Sequence, residues 1–395
     1  MSLKPLPITS YTVSSAVGLG KQALFDSLVA GTSGLKPNRF PGCDLDTCVG
    51  SVDAVDTVVL PEALTDFDCR NNRLVYLALQ QDGFEDAVEQ LKLRYGASRI
   101  GVFLGTSTSG IEHTERAYRD RDRQTGQLPA FDYLKVHNTF SLADFVQRLF
   151  ALDGPAHVVS TACSSSAKVF ASAWRQIQAG LCDAAIVGGA DSLCLTTLYG
   201  FNSLELVSAE PCRPWDRHRN GISIGEGAGF AILESRPQAG SGLALLGFGE
   251  SSDAYHMSSP HPQGKGAAQA MAQALRGARL AAGQLDYVNL HGTATRANDA
   301  AEDIAVTSVA GNVRCSSTKG WTGHTLGAAG ILGMATACLC IEHGFLPASL
   351  HTLELDPALT ANVLLRNTEA RVANVLVNAF GFGGSNCSLL IGRVD

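Results

Sequence analysis

Short apolar runs that end in loops of small residues recur along the chain. The run at residues 100–104 leads into a Gly/Thr/Ser loop at 105–108, and the run at 286–290 leads into a similar loop at 291–295. Continuous apolar runs of this length, bounded by such loops, predict buried strands that each deliver a loop at the carboxyl end. Two strand-loop units of the same kind therefore lie far apart in the chain.

Each unit continues with an apolar helix and a glycine-rich strand. Cys163 stands at the start of an Ala-rich segment, and His324 stands at the start of a second apolar segment. A glycine-rich stretch and an apolar strand follow each segment, at 225–233 and at 381–391. The same order of loop, helix and strand occurs twice, which indicates an internal duplication of α/β units.

The duplication predicts two similar halves, residues 1–240 and 241–395. The distance from the strand-end loop to the helix is longer in the first half, which predicts an insert at about residues 112–156. Charges of both signs alternate within the insert at 115–123. Such a run is typical of a solvated face, and docking of a partner is the alternative.

Composition fits a folded protein with a large core. Of the 395 residues, 45% are apolar and 17% are charged, which excludes wholesale disorder. The net charge of −7 does not favour nucleic acid or an anionic membrane as a partner. Residues 1–20 show no apolar core of a signal peptide, and the apolar stretch at 326–341 is shorter than the ~18–20 residues that span a bilayer. We therefore expect a soluble, cytoplasmic protein.

Eleven cysteines are scattered along the chain without a CxxC pair or a CxxC…HxxxH spacing. This pattern predicts neither a zinc site nor a disulfide framework, and the odd count indicates reduced thiols. Most of the cysteines are expected to be small core residues.

Cys163 lies between a predicted strand at 157–160 and the helix that follows. At this junction the helix dipole and free backbone N–H groups favour a thiolate, and the N–H groups make a pocket suited to a thioester oxyanion. A buried structural cysteine is the alternative.

His291 and His324 occupy corresponding places in the second half, each in a glycine-rich loop. Two neutral imidazoles with Nε2–H directed inward could donate to one developing enolate oxygen. Lys319, five residues before His324, adds a positive charge at the same helix start. For each residue the alternative is an ordinary capping histidine or a surface lysine.

Two further motifs are weaker. Residues 221–225 match the GxSxG pattern of hydrolase nucleophile elbows, and 225–229 resemble half of a dinucleotide-binding loop. Both require a helix to follow, and the residues that follow are typical of a strand. The charged turn at 216–220 fits a structural salt-bridge cluster.

Taken together, these motifs closely resemble the elongating β-ketoacyl-acyl-carrier-protein synthases, condensing enzymes of the thiolase superfamily. The resemblance covers essentially the whole chain. The matching segments are 161–165, 211–217 with 225–229, 253–260, 291–299 with Glu302, 319–324 with 327–330, and 378–386. It implies an α/β thiolase-like fold whose duplicated halves form five αβαβα layers.

The resemblance also implies a decarboxylative Claisen condensation. Cys163 would carry an acyl group received from a carrier protein, His291 and His324 would stabilise the enolate of malonyl-carrier, and Lys319 would orient the site. We expect no bound cofactor, because the phosphopantetheine arrives on the acyl carrier protein.

Further roles follow from the same resemblance. Backbone N–H groups of Cys163 and Phe382 would form the oxyanion hole, and Phe382 would gate the pocket. Thr293 and Thr295 would hold the pantetheine arm, and Thr108 would limit the acyl chain. The residues expected to dock the acidic carrier are Arg70, Arg73, Arg116 and Arg119.

The chain departs from the family pattern at two positions. Gly333 stands nine residues after His324, where the family usually has a glutamate that belongs to the network around the lysine. Ala294 stands where glycine or serine is commoner. Gly333 leaves the role of Lys319 open and, with Thr108, favours a specialised branch.

We therefore expect an active ketosynthase of fatty-acid or related polyketide or polyene synthesis, working as a homodimer or with a related subunit. The alternative is a non-catalytic subunit similar to a chain-length factor. Such subunits usually lack the nucleophile, and the presence of Cys163 with both histidines argues against that reading.

Overall fold

The computed structural model describes residues 3–129, 131–236 and 242–394. The boundary expected at 240/241 lies outside the described residues. The strands are β1 (Leu6–Ser15), β2 (Gly18–Leu19), β3 (Lys36–Pro37), β4 (Cys48–Gly50), β5 (Ile100–Gly105), β6 (Ala156–Val159), β7 (Ala184–Asp191), β8 (Ile224–Gly225), β9 (Gly227–Glu234), β10 (Leu243–Ser252), β11 (Tyr287–Asn289), β12 (Arg314–Ser316), β13 (Phe345–Leu346), β14 (Asn362–Val363), β15 (Thr368–Glu369), β16 (Asn374–Gly381) and β17 (Ser385–Arg393).

The described α-helices alternate with the strands along the chain. They are α1 (Gly20–Ala30), α2 (Arg70–Leu79), α3 (Phe84–Tyr95), α4 (Ile111–Arg119), α5 (Tyr133–Val136), α6 (Ser141–Phe150), α7 (Ser165–Gln178), α8 (Leu195–Ser203), α9 (Lys265–Ala278), α10 (Arg296–Ala310), α11 (Lys319–Thr322) and α12 (Ala329–His343).

Two mixed sheets share one strand order. The first sheet runs β6-β5-β7-β9-β1, and the second runs β12-β11-β16-β17-β10 with β14 outside β12. Numbered within its own half, each sheet has the order 3-2-4-5-1. The two sheets join at one corner, where Leu6 and Pro7 of β1 pair with β10. The α/β fold with two similar halves is confirmed.

Helices complete five layers. α7 and α12 lie between the two sheets in one apolar core. α2, α3 and α6 cover the outer face of the first sheet, and α9 and α10 cover the outer face of the second. The αβαβα arrangement is therefore confirmed, and the two central helices touch both halves.

The central helix α12 is apolar around its whole circumference because it is surrounded by protein. Together with the preceding 3-10 turn it forms an 18-residue helical stretch, Leu326–His343, that is long and apolar enough to cross a membrane, with 83% of it buried inside the protein. The expectation that this stretch is too short was wrong, because the helix continues past residue 341 to His343. Its interpretation as a buried helix is confirmed.

The strand pairing brings several loops to one edge. β5 pairs in parallel with β6 and β7, and β11 pairs in parallel with β12 and β16. The carboxyl ends of parallel strands meet at one edge of a sheet, which is where α/β proteins place their sites. The loops after β5, β7, β11 and β12, and the starts of α7 and α12, are therefore the places to look for chemistry.

Some local expectations change. Residues 227–229, the possible dinucleotide-binding loop, belong to β9. A Cβ on Gly229 would lie 3.0 Å from Ile331 Cγ1 of α12, so the glycines allow this helix to pack closely against the strand. Ser223 of the GxSxG match is fully buried and accepts from the Cys212 N–H, so it is structural. The insert at 112–156 contributes α6 to the core. The charge-alternating run at 115–123 precedes α6 and is exposed except at Glu115 and Ala117, as expected of a solvated face.

Candidate active site

A tight turn presents Cys163 just before α7. Ala162 has a positive φ of 50°, which is unfavourable for a residue with a Cβ. Two serines of α7's start hold this turn, because Ser164 Oγ–H donates to the Thr161 carbonyl (2.9 Å) and Ser165 Oγ–H donates to the Ala162 carbonyl (2.6 Å). The serine-rich motif therefore fixes the position of the nucleophile.

Burial determines the pKa of the Cys163 thiol, because the residue is only 4% exposed. Removal from water raises the pKa of Cys163 to about 12, while the charge of Lys319 and the backbone N–H groups of Phe382 and Cys163 lower it. The Asp191 carboxylate raises it further. The expectation that the helix dipole favours a thiolate was wrong, because desolvation outweighs it. The resting group is a neutral thiol.

His291 and His324 lie beside this thiol. One ring nitrogen of each lies within 4.8 Å of the other and of Cys163 Sγ. The two rings are nearly perpendicular, with centroids 5.3 Å apart. Burial and the nearby Lys319 charge lower both histidine pKa values well below the ordinary value. Both imidazoles are therefore neutral, and the prediction that the structure brings the three groups together holds.

The proton of His324 has a defined position. The Leu326 backbone N–H donates to His324 Nδ1 at 3.2 Å, so the neutral ring carries its proton on Nε2. The backbone of His324 is fixed as well, since its N–H donates to Ser223 and its carbonyl accepts from Gly225. In contrast, Nδ1 of His291 is buried and has no hydrogen-bond partner among the described residues.

Lys319 and Glu302 hold the backbone of His291 from both sides. Lys319 Nζ donates to the His291 carbonyl. The Glu302 carboxylate accepts from the N–H groups of His291 (2.7 Å) and Gly292 (2.8 Å), and from Asn378 Nδ2 (3.0 Å). Burial lowers the pKa of Lys319 and raises that of Glu302 to about 7. Lys319 therefore fixes the histidine loop, and its charge acts on all three reactive groups.

Gly333 is packed too closely to accept a side chain. A Cβ there would lie 2.7 Å from Val377 Cγ1 and 2.9 Å from Asn289 Oδ1. The carboxylate that acts on Lys319 in this chain is instead Glu302, whose charge raises the lysine pKa against the effect of burial. The departure at position 333 therefore leaves Lys319 with a carboxylate neighbour.

The cavity that reaches Cys163 passes the residues expected to bind pantetheine. Thr293 and Thr295 line it, and their hydroxyl oxygens lie 2.9 Å apart. Phe382 lines it too, with its ring centroid 5.4 Å from that of Phe201. The complete lining is Cys163, Phe201, Leu206, Ile222, Asp253, Ser258, Ser259, Pro260, His291, Thr293, Thr295, Ala297, Asn298, His324, Phe380, Gly381, Phe382, Gly383, Gly384 and Asn386.

Ala294 stands between the two threonines with a positive φ of 66°, the conformation that glycine adopts most easily. Its N–H donates to Asp299 Oδ1 at 3.2 Å, which helps to hold the strained loop. The alanine is thus accommodated at the cost of local strain.

Thr108 does not belong to the described cavity wall. It is 1% exposed, and its Oγ1–H donates to Asp191 Oδ1 at 3.0 Å. The hydroxyl is thus used inside the protein. The proposed effect of Thr108 on acyl length is not supported by this placement.

The four arginines expected to dock a carrier differ in availability. Arg70 is partly buried and makes a two-pronged ion pair with the buried Glu226 and a third bond to Asp56. These bonds occupy its guanidinium group and do not favour its assignment to docking. Arg73 pairs with Asp68 and is only partly exposed. Arg116 and Arg119 are exposed at the end of α4, where Arg116 pairs with Glu112.

Sequence reasoning assigned no role to two buried carboxylates, Glu302 and Asp191. Glu302 lies on one face of α10 with Asp299, and both are buried. Two acidic residues three positions apart, directly after the His291 motif, could have indicated a network under the loop. Asp191 ends the apolar strand β7 and had no comparable signal.

The reactive group also has the composition of a metal site. Zinc prefers thiolate and imidazole ligands, and the three atoms lie within 4.8 Å of one another. Binding would require loss of the thiol proton, which burial opposes. The expectation that no metal binds stays a prediction.

Two family models match the chain. Residues 62–239 match "Beta-ketoacyl synthase, N-terminal domain", and residues 244–353 match "Beta-ketoacyl synthase, C-terminal domain". The 3-oxoacyl-[acyl-carrier-protein] synthase 2 of Coxiella burnetii is 30% identical over 100% of both chains. Nodulation protein E of Rhizobium meliloti is 35% identical over 75% of this chain and 76% of its own length.

Among solved structures, a ketosynthase from Xenorhabdus doucetiae in complex with its chain length factor is similar, with 38% identity and a TM-score of 0.90. The match covers 99% of this chain and 98% of the other. The ishigamide ketosynthase/chain length factor is 28% identical with a TM-score of 0.88 over 100% of both chains.

The buried thiol predicts an unusual pH dependence of alkylation. Because the pKa of Cys163 is raised to about 12, the thiolate fraction should keep increasing about tenfold per pH unit between about pH 7 and pH 10. The rate of Cys163 carbamidomethylation by iodoacetamide, followed by peptide mass spectrometry, measures this. A chelator should leave the rate unchanged. A plateau near the ordinary thiol pKa of about 8.5 would contradict the effect of burial.

Proposed function

The chain belongs to the β-ketoacyl synthase family of condensing enzymes, and we propose that it is a catalytic ketosynthase whose nucleophile is Cys163. The single observation that carries the proposal is the meeting of a buried thiol with two neutral imidazoles. This set can hold an acyl group and stabilise an enolate at the same place. A non-catalytic subunit would need neither.

In the first step an acyl group moves from carrier pantetheine to Cys163. The Cys163 sulfur attacks the thioester carbonyl, the bond from that carbonyl to the carrier sulfur breaks, and the thiol proton passes to the carrier sulfur, which leaves as a thiol. The backbone N–H groups of Cys163 and Phe382 act on the thiol sulfur, and we assign them to the oxyanion that forms beside it. Thr293 and Thr295 are the hydroxyls available to the pantetheine arm in the cavity wall.

In the second step malonyl-carrier loses CO₂ and its enolate attacks the acyl-Cys163 carbonyl. A carbon–carbon bond forms, the acyl–sulfur bond breaks, and the Cys163 sulfur takes up one proton from solvent as the β-ketoacyl-carrier product leaves. The Nε2–H of His324 is a donor for the enolate oxygen, and a neutral His291 is the second. Neutral donors suit this step, since they stabilise the developing charge without quenching the carbanion by proton transfer.

The proposed partners are an acyl carrier protein and a second ketosynthase-like subunit. A homodimer was expected from the family resemblance. The similarity to a ketosynthase that was solved with its chain length factor supports a heterodimer as the finer alternative. We propose a polyene- or polyketide-type pathway, because the chain is 38% identical to the ketosynthase that pairs with a chain length factor and 30% identical to the 3-oxoacyl-[acyl-carrier-protein] synthase 2 of Coxiella burnetii.

We propose a soluble, cytoplasmic protein. Its eleven cysteines are all free, and ten of them are buried, which suits a reducing compartment.

For the carrier, we propose docking on the exposed basic segment at the end of α4, which contains Arg116, Arg119, Arg121 and Arg123. α4 is joined to α8 because the Glu115 carboxylate accepts from the Leu195 and Thr196 N–H groups at the start of that helix. Phe201 of α8 lines the cavity, so the segment adjoins an element of the cavity wall. Among the described residues, Arg121 and Arg123 are exposed and belong to no ion pair.

The function is tested by separating its two steps. Acyl-carrier should add one acyl group to Cys163, seen by intact mass, and malonyl-carrier should then give a β-ketoacyl product. Cys163→Ala should abolish both. His291→Ala and His324→Ala should reduce condensation by about 100-fold or more while acylation declines less.

His218→Ala, at an exposed position outside the cavity wall, is the matched control for the histidine variants, and it should retain both steps. No acylation of the wild-type protein, or product formation by Cys163→Ala, would exclude the mechanism. Histidine variants that acylate Cys163 much more slowly than the wild-type protein but, once acylated, condense at the wild-type rate would refute the enolate role.

Docking is tested by charge reversal. Arg121→Glu with Arg123→Glu should raise KM for acyl-carrier about tenfold with little change in kcat, because the long-range attraction to an acidic partner is lost. Arg276→Glu, at an exposed position on α9, is the matched control. Acyl-pantetheine that is not attached to a carrier protein should react equally with all variants. An unchanged KM for acyl-carrier would place docking elsewhere.

A further inference from the structure

The Asp191 carboxylate is fully buried at the end of β7 and is surrounded by donors. It accepts from Thr106 Oγ1 (2.7 Å) and from the N–H groups of Ser107 (2.7 Å) and Thr108 (3.0 Å) in the loop after β5. The hydroxyls of Ser107 and Thr108 donate to it as well. These bonds fix Asp191 to a loop of the first half.

The remaining bond crosses to the second half. The Gly327 N–H donates to Asp191 Oδ2 at 2.6 Å. The contact is so close that a Cβ on Gly327 would lie 2.7 Å from this oxygen and 2.8 Å from the Ser107 nitrogen. Asp191 is therefore the point at which the loop after β5 contacts the turn that follows His324.

This turn controls the ring of His324. Leu326 has a positive φ of 50°, a conformation that costs free energy for a residue with a Cβ. In that conformation its N–H reaches His324 Nδ1. The next N–H along the chain, of Gly327, is the one that Asp191 accepts, so the carboxylate acts directly where the strained turn needs support.

We infer that Asp191 is a positioning residue for His324: by holding the Gly327 N–H it fixes the 325–327 turn, whose Leu326 N–H places the His324 proton on Nε2. The inference rests on the proposed function, since it concerns the donor that the enolate needs. It assigns Asp191 no contact with substrate.

An asparagine at position 191 cannot replace the carboxylate. Oδ1 accepts from the Ser107 and Thr108 N–H groups, and Oδ2 accepts from the Gly327 N–H. Whichever way the amide is turned, its NH₂ group faces a backbone donor. Asp191→Asn keeps the shape and breaks one side of the connection.

Asp303→Asn is the matched control. Asp303 is another buried carboxylate, and it accepts from the N–H groups of Thr360 and Ala361 in a turn that carries no reactive group. Both Asp191→Asn and Asp303→Asn therefore place an amide against backbone N–H donors. Only Asp191→Asn also disturbs the turn that holds His324.

The first readout is the tautomer of His324, measured by long-range ¹H–¹⁵N spectra of protein labelled in its histidines and assigned with His324→Gln. The wild-type protein and Asp303→Asn should show the proton on Nε2. Asp191→Asn should show a mixture or the Nδ1–H form. This readout does not depend on activity, so it remains decisive even if the condensing reaction itself is not observed.

The second readout is the split between the two steps. Asp191→Asn should reduce malonyl-carrier decarboxylation by about tenfold or more and affect acylation of Cys163 less, with Asp303→Asn within about twofold of wild type. If Asp191→Asn does not fold, Gly327→Ala replaces it, because its Cβ pushes the turn away from the intact carboxylate, and the same changes are expected.

Two results would overturn the inference. One is a wild-type His324 that carries its proton on Nδ1. The other is an unchanged tautomer and an unchanged decarboxylation rate in whichever of Asp191→Asn and Gly327→Ala folds.

Discussion

Exclusion of water from the place where the two halves meet is the constraint on which the site depends. Burial keeps Cys163 protonated and keeps His291 and His324 neutral. Lys319 is the buried cation among them, and burial lowers its pKa too. A site of uncharged donors around a neutral thiol is suited to an intermediate whose own negative charge is the largest in the pocket. The five-layered fold excludes water from the site, because Cys163 and His324 lie just before helices that are enclosed between the two sheets.

Two carboxylates keep the loops in place inside the dry region. Glu302 holds the His291 loop by two N–H groups, and Asp191 connects the loop after β5 to the turn after His324. Backbone N–H groups satisfy both carboxylates, and that satisfaction is what makes burial of the charge tolerable. The catalytic side chains thus stay neutral, while the charge needed for positioning lies behind them.

The repeat and the reactive residues were predictable from the sequence, because periodic apolar runs define strands and because loops of one kind recur. The same strand order in both sheets follows that repeat. Cys163, His291, His324 and Lys319 meet as the motifs indicated. The pairing of charges was not predictable. Arg70 carries a charge in a polar segment, yet its partner Glu226 lies 156 positions away in the chain. No local sequence pattern shows that an arginine is paired with so distant a carboxylate. For the same reason the bond between Asp191 and Gly327, across 136 positions, left no signal in the sequence. The sign of the Cys163 shift was missed because a helix start indicates the dipole, whereas burial is visible only in the fold.

The most direct test of this account is the protonation of the two active-site histidines as the pH is lowered. Side-chain ¹H–¹⁵N spectra of histidine-labelled protein measure it. We predict that His291 and His324 stay neutral well below about pH 6.5, the ordinary pKa of histidine, because burial lowers the pKa of both rings. Titration of either ring near the ordinary pKa of about 6.5 would contradict the claim that the fold keeps both imidazoles neutral by excluding water.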